Sequence, residues 1–229
     1  MTETHTVAFD AAGKHLIFSF ASDEDHIARM IRQSGTFYEA ELLSDARARL
    51  FFGECAIDVG AHVGNHSIYF SHVLGLKTFA FEPNPVTFGH LQANVRNNGL
   101  TELCQVRNAA VGSVAGHVRA VPGYEGNSGM ATVEDDPSGA VPLVRLDDEV
   151  LDEPRIDLIK IDVEGWELDV LKGADRTLAR HRPLLYIEIM KPKFAEVEAH
   201  LVDRGYTCWK RFNFTPTFLF MPRERFGTA

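Results

Sequence analysis

The residues best suited to chemistry in this chain are carboxylates that end apolar runs. Asp162 ends Leu158-Ile159-Lys160-Ile161-Asp162, Glu164 follows just before Gly165, and Glu188 ends Tyr186-Ile187-Glu188. Short apolar runs bounded by turn residues read as buried strands. Acids at their ends then stand where a parallel sheet opens its ligand crevice. Together, Asp162, Glu164 and Glu188 can act as a general base toward a hydroxyl, or face a divalent ion that makes the hydroxyl more acidic. No metal is required by the pattern. His62 and His66 lie in a nearby loop, and each reads either as a group that reaches the reacting hydroxyl or as a hydrogen-bonded structural histidine.

A second group of residues addresses a cofactor. Asp58-Val59-Gly60-Ala61-His62-Val63-Gly64-Asn65 follows a strand and opens a helix. Such a turn lets the Gly60 and Gly64 backbone approach a nucleotide-like ligand, although the same glycines also serve simply to tighten a strand-to-helix connection. The spacing is not G-x-G-x-x-G, and Asp58 would repel a pyrophosphate at the helix start. A cationic ligand fits better. S-adenosylmethionine presents an ammonium and a sulfonium to Asp58, while its own carboxylate can meet the amides near Asn65. Glu82 ends the next strand, where a carboxylate accepts both ribose hydroxyls, and Pro83 fixes the following turn. An acid there serves NAD equally, so Glu82 marks an adenosine ligand in general. Asn108, closing a third strand, reads either as a partner for the adenine amino group or as a plain turn residue.

Alternating strands and helices position these groups. Thr6–Phe9 and Leu16–Phe20 form a hairpin, and two helices follow, the first capped by Asp23. These first fifty residues read as a lid. Strands at Cys55–Val59, Thr78–Phe81 and Leu103–Arg107 alternate with helices at about 65–74 and 85–97, the rhythm of a parallel sheet covered on both faces. Residues from about 114 to 146 break that rhythm as an insertion of short strands, and its polar stretch containing Asn127 and Ser128 suits a substrate loop. The alternation resumes with Leu158–Asp162, a helix Trp166–Leu178 and a strand Pro183–Ile189. Lys160, in so apolar a strand, needs a carboxylate partner. A helix and two strands in an antiparallel hairpin end the chain, and that hairpin accounts for the mixed aromatic and basic run Trp209–Phe214 without RNA. The expected architecture is one α/β domain, a seven-stranded, mostly parallel Rossmann-like sheet.

Bulk properties narrow the partners. The chain has 229 residues and a formal net charge of -9, which disfavours a nucleic acid and favours a neutral or cationic small molecule. Three cysteines without paired spacing read as free thiols in a reducing, cytoplasmic setting. No apolar run reaches the roughly 20 residues of a membrane span. Oligomeric state is not written in these features.

The segments Phe37-Tyr38-Glu39, Asp58 to Ser67, Phe81-Glu82-Pro83-Asn84-Pro85, Ile161 to Glu167 and Leu171-Lys172-Gly173-Ala174 together resemble the FkbM family of methyltransferases, over about residues 35 to 190. The resemblance implies a class I methyltransferase fold and O-methylation of hydroxyls on sugars, glycans or polyketide-type natural products. It also implies that Tyr38 and Glu39 help close over the cofactor. His62 stands where methyltransferases often carry a second loop glycine. Two other readings compete: an NAD-dependent oxidoreductase, disfavoured by the glycine spacing and Asp58, and a non-catalytic binding module, disfavoured by the crevice acids.

Overall fold

The computed structural model describes residues 5–50, 53–121 and 132–226. The chain opens with an antiparallel hairpin, β1 (His5–Ala11) and β2 (Lys14–Phe20), and two helices, α1 (His26–Ser34) and α2 (Ala40–Arg49). The core alternates β3 (Cys55–Val59), α3 (Asn65–Ile68), β4 (Lys77–Phe81), α4 (Pro85–Asn97) and β5 (Cys104–Arg107). Short strands follow: β6 (Ala110–Val111), β7 (Gly116–Val121), β8 (Thr132–Asp135) and β9 (Val141–Val144), then helix α5 (Leu146–Glu149). The core resumes with β10 (Leu158–Ile161), α6 (Glu167–Lys172), α7 (Asp175–His181), β11 (Leu184–Glu188) and α8 (Lys191–Asp203). It closes with β12 (Tyr206–Phe212) and β13 (Thr217–Pro222).

The expected seven-stranded sheet forms in the order β12-β13-β11-β10-β3-β4-β5, and β13 alone runs against its neighbours. The chain enters at β3, moves outward through β4 and β5, and returns on the other side of β3 through β10 and β11. The order reverses between β3 and β10, and the crevice at the carboxyl ends of such a pair is where α/β sheets bind ligands. The final hairpin folds its later strand inward. Thr217–Pro222 is buried along nearly its whole length, whereas β12 carries Lys210 and Arg211 and takes the half-exposed edge.

Period-two alternation sorts side chains onto two faces. Ala56, Ala80, Leu158 and Tyr186 share one cluster with residues of the hairpin, α1, α2 and α4. Ile57, Phe79, Ile159 and Ile187 pack against Val170, Leu178, Val197 and Leu201 on the other face. Residues 5–50, expected as a lid, pack as a layer of the first cluster, with Phe18, Phe20 and Leu42 fully buried. Asn94 and Asn98 of α4 fasten it. Ser19 N donates to Asn94 Oδ1 at 2.7 Å, Ile17 N to Asn98 Oδ1 at 3.0 Å, and Asn98 Nδ2 to Ile17 O at 2.8 Å. Side-chain amides thus satisfy backbone groups of β2 that no further strand pairs.

Several local expectations shift. Asp25, not Asp23, caps α1, accepting from the amides of Ile27 and Ala28, while Asp23 pairs with His5 and Arg32. The helix after the glycine turn begins as α3 and continues as a π-helical segment, Tyr69–Val73. The single helix expected over Trp166–Leu178 is two. Gly173 sits where an added Cβ would lie 2.0 Å from the Gly112 carbonyl oxygen, and Asp147, from α5, accepts from the amides of Arg176 and Thr177 at the start of α7. Trp166 leaves the expected stripe and donates its indole N–H to Val133 O at 3.1 Å.

The insertion builds its own four-stranded sheet, β6-β9-β7-β8, around Val118, Val133, Val141 and Leu143. Its expected substrate residues Asn127 and Ser128 lie outside the described residues. Cys55, Cys104 and Cys208 are free thiols. Among the described residues no helix is long and apolar enough to cross a membrane.

Candidate active site

Two adjoining chambers open at the carboxyl ends of β3, β4 and β10. The inner one is lined by Gly60, Ala61 and His62 of the first turn, Glu82 and Pro83 after β4, Ala109-Ala110-Val111, and Lys160 and Asp162. The Gly60 turn fits only glycine. Its φ is +78°, and an added Cβ would meet the Asp162 carbonyl oxygen at 1.8 Å. Gly64, at φ +94°, begins α3 with no room for a side chain beside Leu91. The loop thus brings bare backbone to the cavity wall.

Glu82 faces this wall while held from behind. Its Oε2 accepts from His62 N at 2.9 Å and its Oε1 from Asn84 N at 2.8 Å. Each carboxylate oxygen retains a lone pair that can accept a hydroxyl. Burial raises its pKa to about 7, against the two amide hydrogen bonds. His62 holds a left-handed conformation, at φ 51°, of the kind that favours glycine; burial lowers the pKa of its ring.

Of its two readings, Asn108 takes that of the turn residue. Its Nδ2 donates to the carbonyls of Glu82 and Pro83 at 2.8 and 3.1 Å, so it fastens the turn and does not line the wall.

Asp58 is set back from the wall. It is fully buried beneath the loop, where Ser67 Oγ donates to Oδ2 at 2.5 Å and Lys160 Nζ lies 3.7 Å from Oδ1. It does not line the inner chamber. Asp58 thus faces Lys160 one layer beneath the chamber wall. Asp162 is on the walls of both chambers. Lys160 has the carboxylate partners its apolar strand demands. Its ammonium lies 3.1 Å from Asp162 and also reaches Gly60 O at 3.4 Å. Burial opposes the charge, but Asp162 and Asp58 outweigh it and hold the pKa above the ordinary lysine value.

The outer chamber, a void of about 400 Å³, carries five carboxylates: Asp25, Glu39, Asp162, Glu164 and Glu188. Oxygens of Asp162, Glu164 and Glu188 lie within 4.8 Å of one another, so one proton or one small cation can face all three. Burial, reinforced by Asp162, raises Glu188 to a pKa of about 8 and Glu164 to about 7. Glu164 sits at φ 48°, in a left-handed turn with Gly165, and lines the outer chamber.

The N-terminal layer completes both walls. Tyr38 lines both chambers, and Asn65 clasps its backbone: Tyr38 N donates to Asn65 Oδ1 at 2.9 Å, and Asn65 Nδ2 donates to Tyr38 O at 3.1 Å. Glu39 Oε2 lies 2.9 Å from His66 Nε2, and His66 itself lines the inner chamber. Asp25, His26, Ile27, Met190 and Thr215 are wall residues that sequence reasoning missed. Only Asp25 carried a local signal, as a helix-cap residue.

These features define a Rossmann-like class I methyltransferase. An rRNA methylase from Streptococcus thermophilus has the same fold, at a TM-score of 0.51 and 17% identity, covering 80% of this chain and 95% of that one. The methyltransferase FkbM domain matches residues 58–208, and the chain belongs to the FkbM methyltransferase family. The chain is similar to methyltransferase sdnD of Sordaria araneosa, with 31% identity over 66% of this chain and 72% of that protein. It is also similar to the hexuronic acid methyltransferase AglP of Haloferax volcanii, with 32% identity over 53% of this chain and 50% of that protein, so it spans about half the length of this second relative.

Proposed function

We propose that the chain transfers a methyl group from S-adenosylmethionine to a hydroxyl of a sugar, glycan or polyketide-type natural product. One observation carries the reading: a chamber with a glycine-tight wall and a buried ribose-type acid opens, through Tyr38, His62 and Asp162, into a chamber with three converging carboxylates. The inner residues fit the cofactor. Glu82 would take the ribose hydroxyls, Ala109 to Val111 the adenine, and Asp162 the cationic end. When bound, the cofactor supplies an electrophilic methyl carbon.

The chain then has to align and deprotonate the acceptor. Glu164 or Glu188, when ionised, takes the hydroxyl proton at a carboxylate oxygen, and Asp162 orients the hydroxyl toward the inner chamber. Alignment of acceptor and methyl carbon within roughly 3–3.5 Å supplies most of the rate. Tyr38 and Ile27 shield the junction from water. The sugar-directed name of the archaeal relative supports a sugar or glycan acceptor. Free thiols fit a cytoplasmic setting.

Calorimetry with S-adenosylhomocysteine and with NAD tests the cofactor, and binding of NAD alone would reject the proposal. A mass-spectrometric screen of hydroxylated sugars and glycosides for the gain of one methylene tests the reaction. The spacing of Asp162, Glu164 and Glu188 favours a second reading, in which they hold a divalent ion that activates the hydroxyl. Loss of turnover on chelation, restored by Mg²⁺, would select it.

A further inference from the structure

The hairpin β12–β13 ends in a tip, residues 213–216, at the mouth of the outer chamber. Asn213, at φ 59°, donates its amide to Glu39, a wall residue, and Thr215 is itself on the wall. Between them Phe214 is 100% exposed, while its carbonyl oxygen accepts from Arg211 at 3.1 Å. The tip is thus tied by the Asn213 side chain and the Phe214 carbonyl, and the ring is left in water. Met190, on the same wall, is 51% exposed.

An aromatic ring wholly in solvent contributes nothing to folding. The turn needs a residue tolerant of positive φ, which Asn213 supplies, and has no use for an apolar side chain beside it. Phe214 directly precedes the wall residue Thr215, and Met190 is itself on that wall, so both exposed apolar side chains stand at the chamber's edge. Behind this rim the wall carries five carboxylates and, among its described residues, no lysine or arginine.

We propose that Phe214 and Met190 form an apolar rim that receives an uncharged alkyl or aryl body of the acceptor while its hydroxyl reaches the acids behind. The inference rests on the outer chamber being the acceptor site. It sets the chain apart from the archaeal relative, whose hexuronic acid would bring an anion against these carboxylates. A membrane surface is the competing occupant for an exposed phenylalanine near Arg211, but the net charge of -9 opposes binding to anionic lipid.

The test titrates the protein, saturated with S-adenosylhomocysteine, with methyl β-glucoside, hexyl β-glucoside and hexyl β-glucuronide below their micellar concentrations. Hexyl glucoside is expected to bind about tenfold tighter than methyl glucoside, which corresponds to burial of about two methylene groups. The glucuronide is expected to bind weakest. Phe214→Ala and Met190→Ala should each remove most of the hexyl advantage and leave S-adenosylhomocysteine affinity unchanged. Equal affinities, no binding of either glucoside, preference for the glucuronide, or a hexyl advantage that survives both substitutions overturns the rim. So does a Phe214→Ala defect confined to association with phosphatidylglycerol vesicles. Failure of S-adenosylhomocysteine to bind in the first titration falls instead on the methyltransferase reading, and the glucoside series still decides the rim.

Discussion

The two chambers are built on opposite principles. The inner one is a backbone surface: glycines at positive φ, amides that brace Glu82, and one buried lysine that neutralises the acids beneath. The outer one is a side-chain surface, with five carboxylates from four separate segments. A ligand common to a whole family can be held by backbone geometry, which leaves little room for variation. An acceptor that differs between relatives is met by side chains, which can change without refolding the sheet.

The strongest way to break this comparison is Gly60→Ala. Positive φ and a 1.8 Å approach to Asp162 O leave no relaxed position for a methyl group. The substitution is expected to cost about 3–5 kcal/mol of stability and to abolish S-adenosylhomocysteine binding, as read by urea unfolding and calorimetry. A stable, fully binding variant would mean the turn is looser than drawn.

Glu164→Gln and Glu188→Gln probe the other side. The variant that removes the base should lower kcat about 100-fold while S-adenosylhomocysteine affinity holds. Unchanged turnover in both would take the acids out of the mechanism.

Glu82→Gln is expected to weaken S-adenosylhomocysteine by about 1.5–3 kcal/mol, the range for hydrogen bonds to a charged acceptor. The wild-type affinity should also rise with pH. With its pKa raised to about 7 from 4.5, Glu82 is protonated below neutrality, and only the ionised form accepts two hydroxyls. In the free protein the sign is opposite: the folded state holds that proton more tightly, so stability falls as pH rises from 4.5 toward 7. A pH-independent affinity, measured by calorimetry across neutrality, would remove Glu82 from the ribose.

The smallest effect belongs to Asn65→Ala, which removes the two-way clasp on Tyr38. It should cost about 1–2 kcal/mol in thermal unfolding and raise KM for the acceptor more than it lowers kcat. An unchanged KM would detach the N-terminal layer from acceptor binding.

Much of the inner chamber was legible because its signals are local. The turn from Asp58 to Asn65 follows its strand directly, and Glu82 ends the next strand, so spacing alone placed Gly60 and Glu82 on a ligand crevice. Locality also misled. Asp58 stands at the right point in the chain to meet a cation, but only the register of β3 against β10 shows that Lys160 lies opposite and neutralises it. The break between α6 and α7 was invisible for a similar reason, since the approach of Gly173 to Gly112 O joins distant segments.

By itself the sequence determined the alternation of strands and helices, the glycine turn and the acids at the strand ends, because period, turn chemistry and burial act between near neighbours. Tertiary structure decided the rest. It wove the N-terminal layer into the core through Asn94 and Asn98, and it turned Asp58 inward. It also set Asp25, Met190 and Thr215 of the hairpin tip around one cavity. Contacts between residues far apart in the chain depend on how the sheet orders its strands, and no local pattern encodes that order.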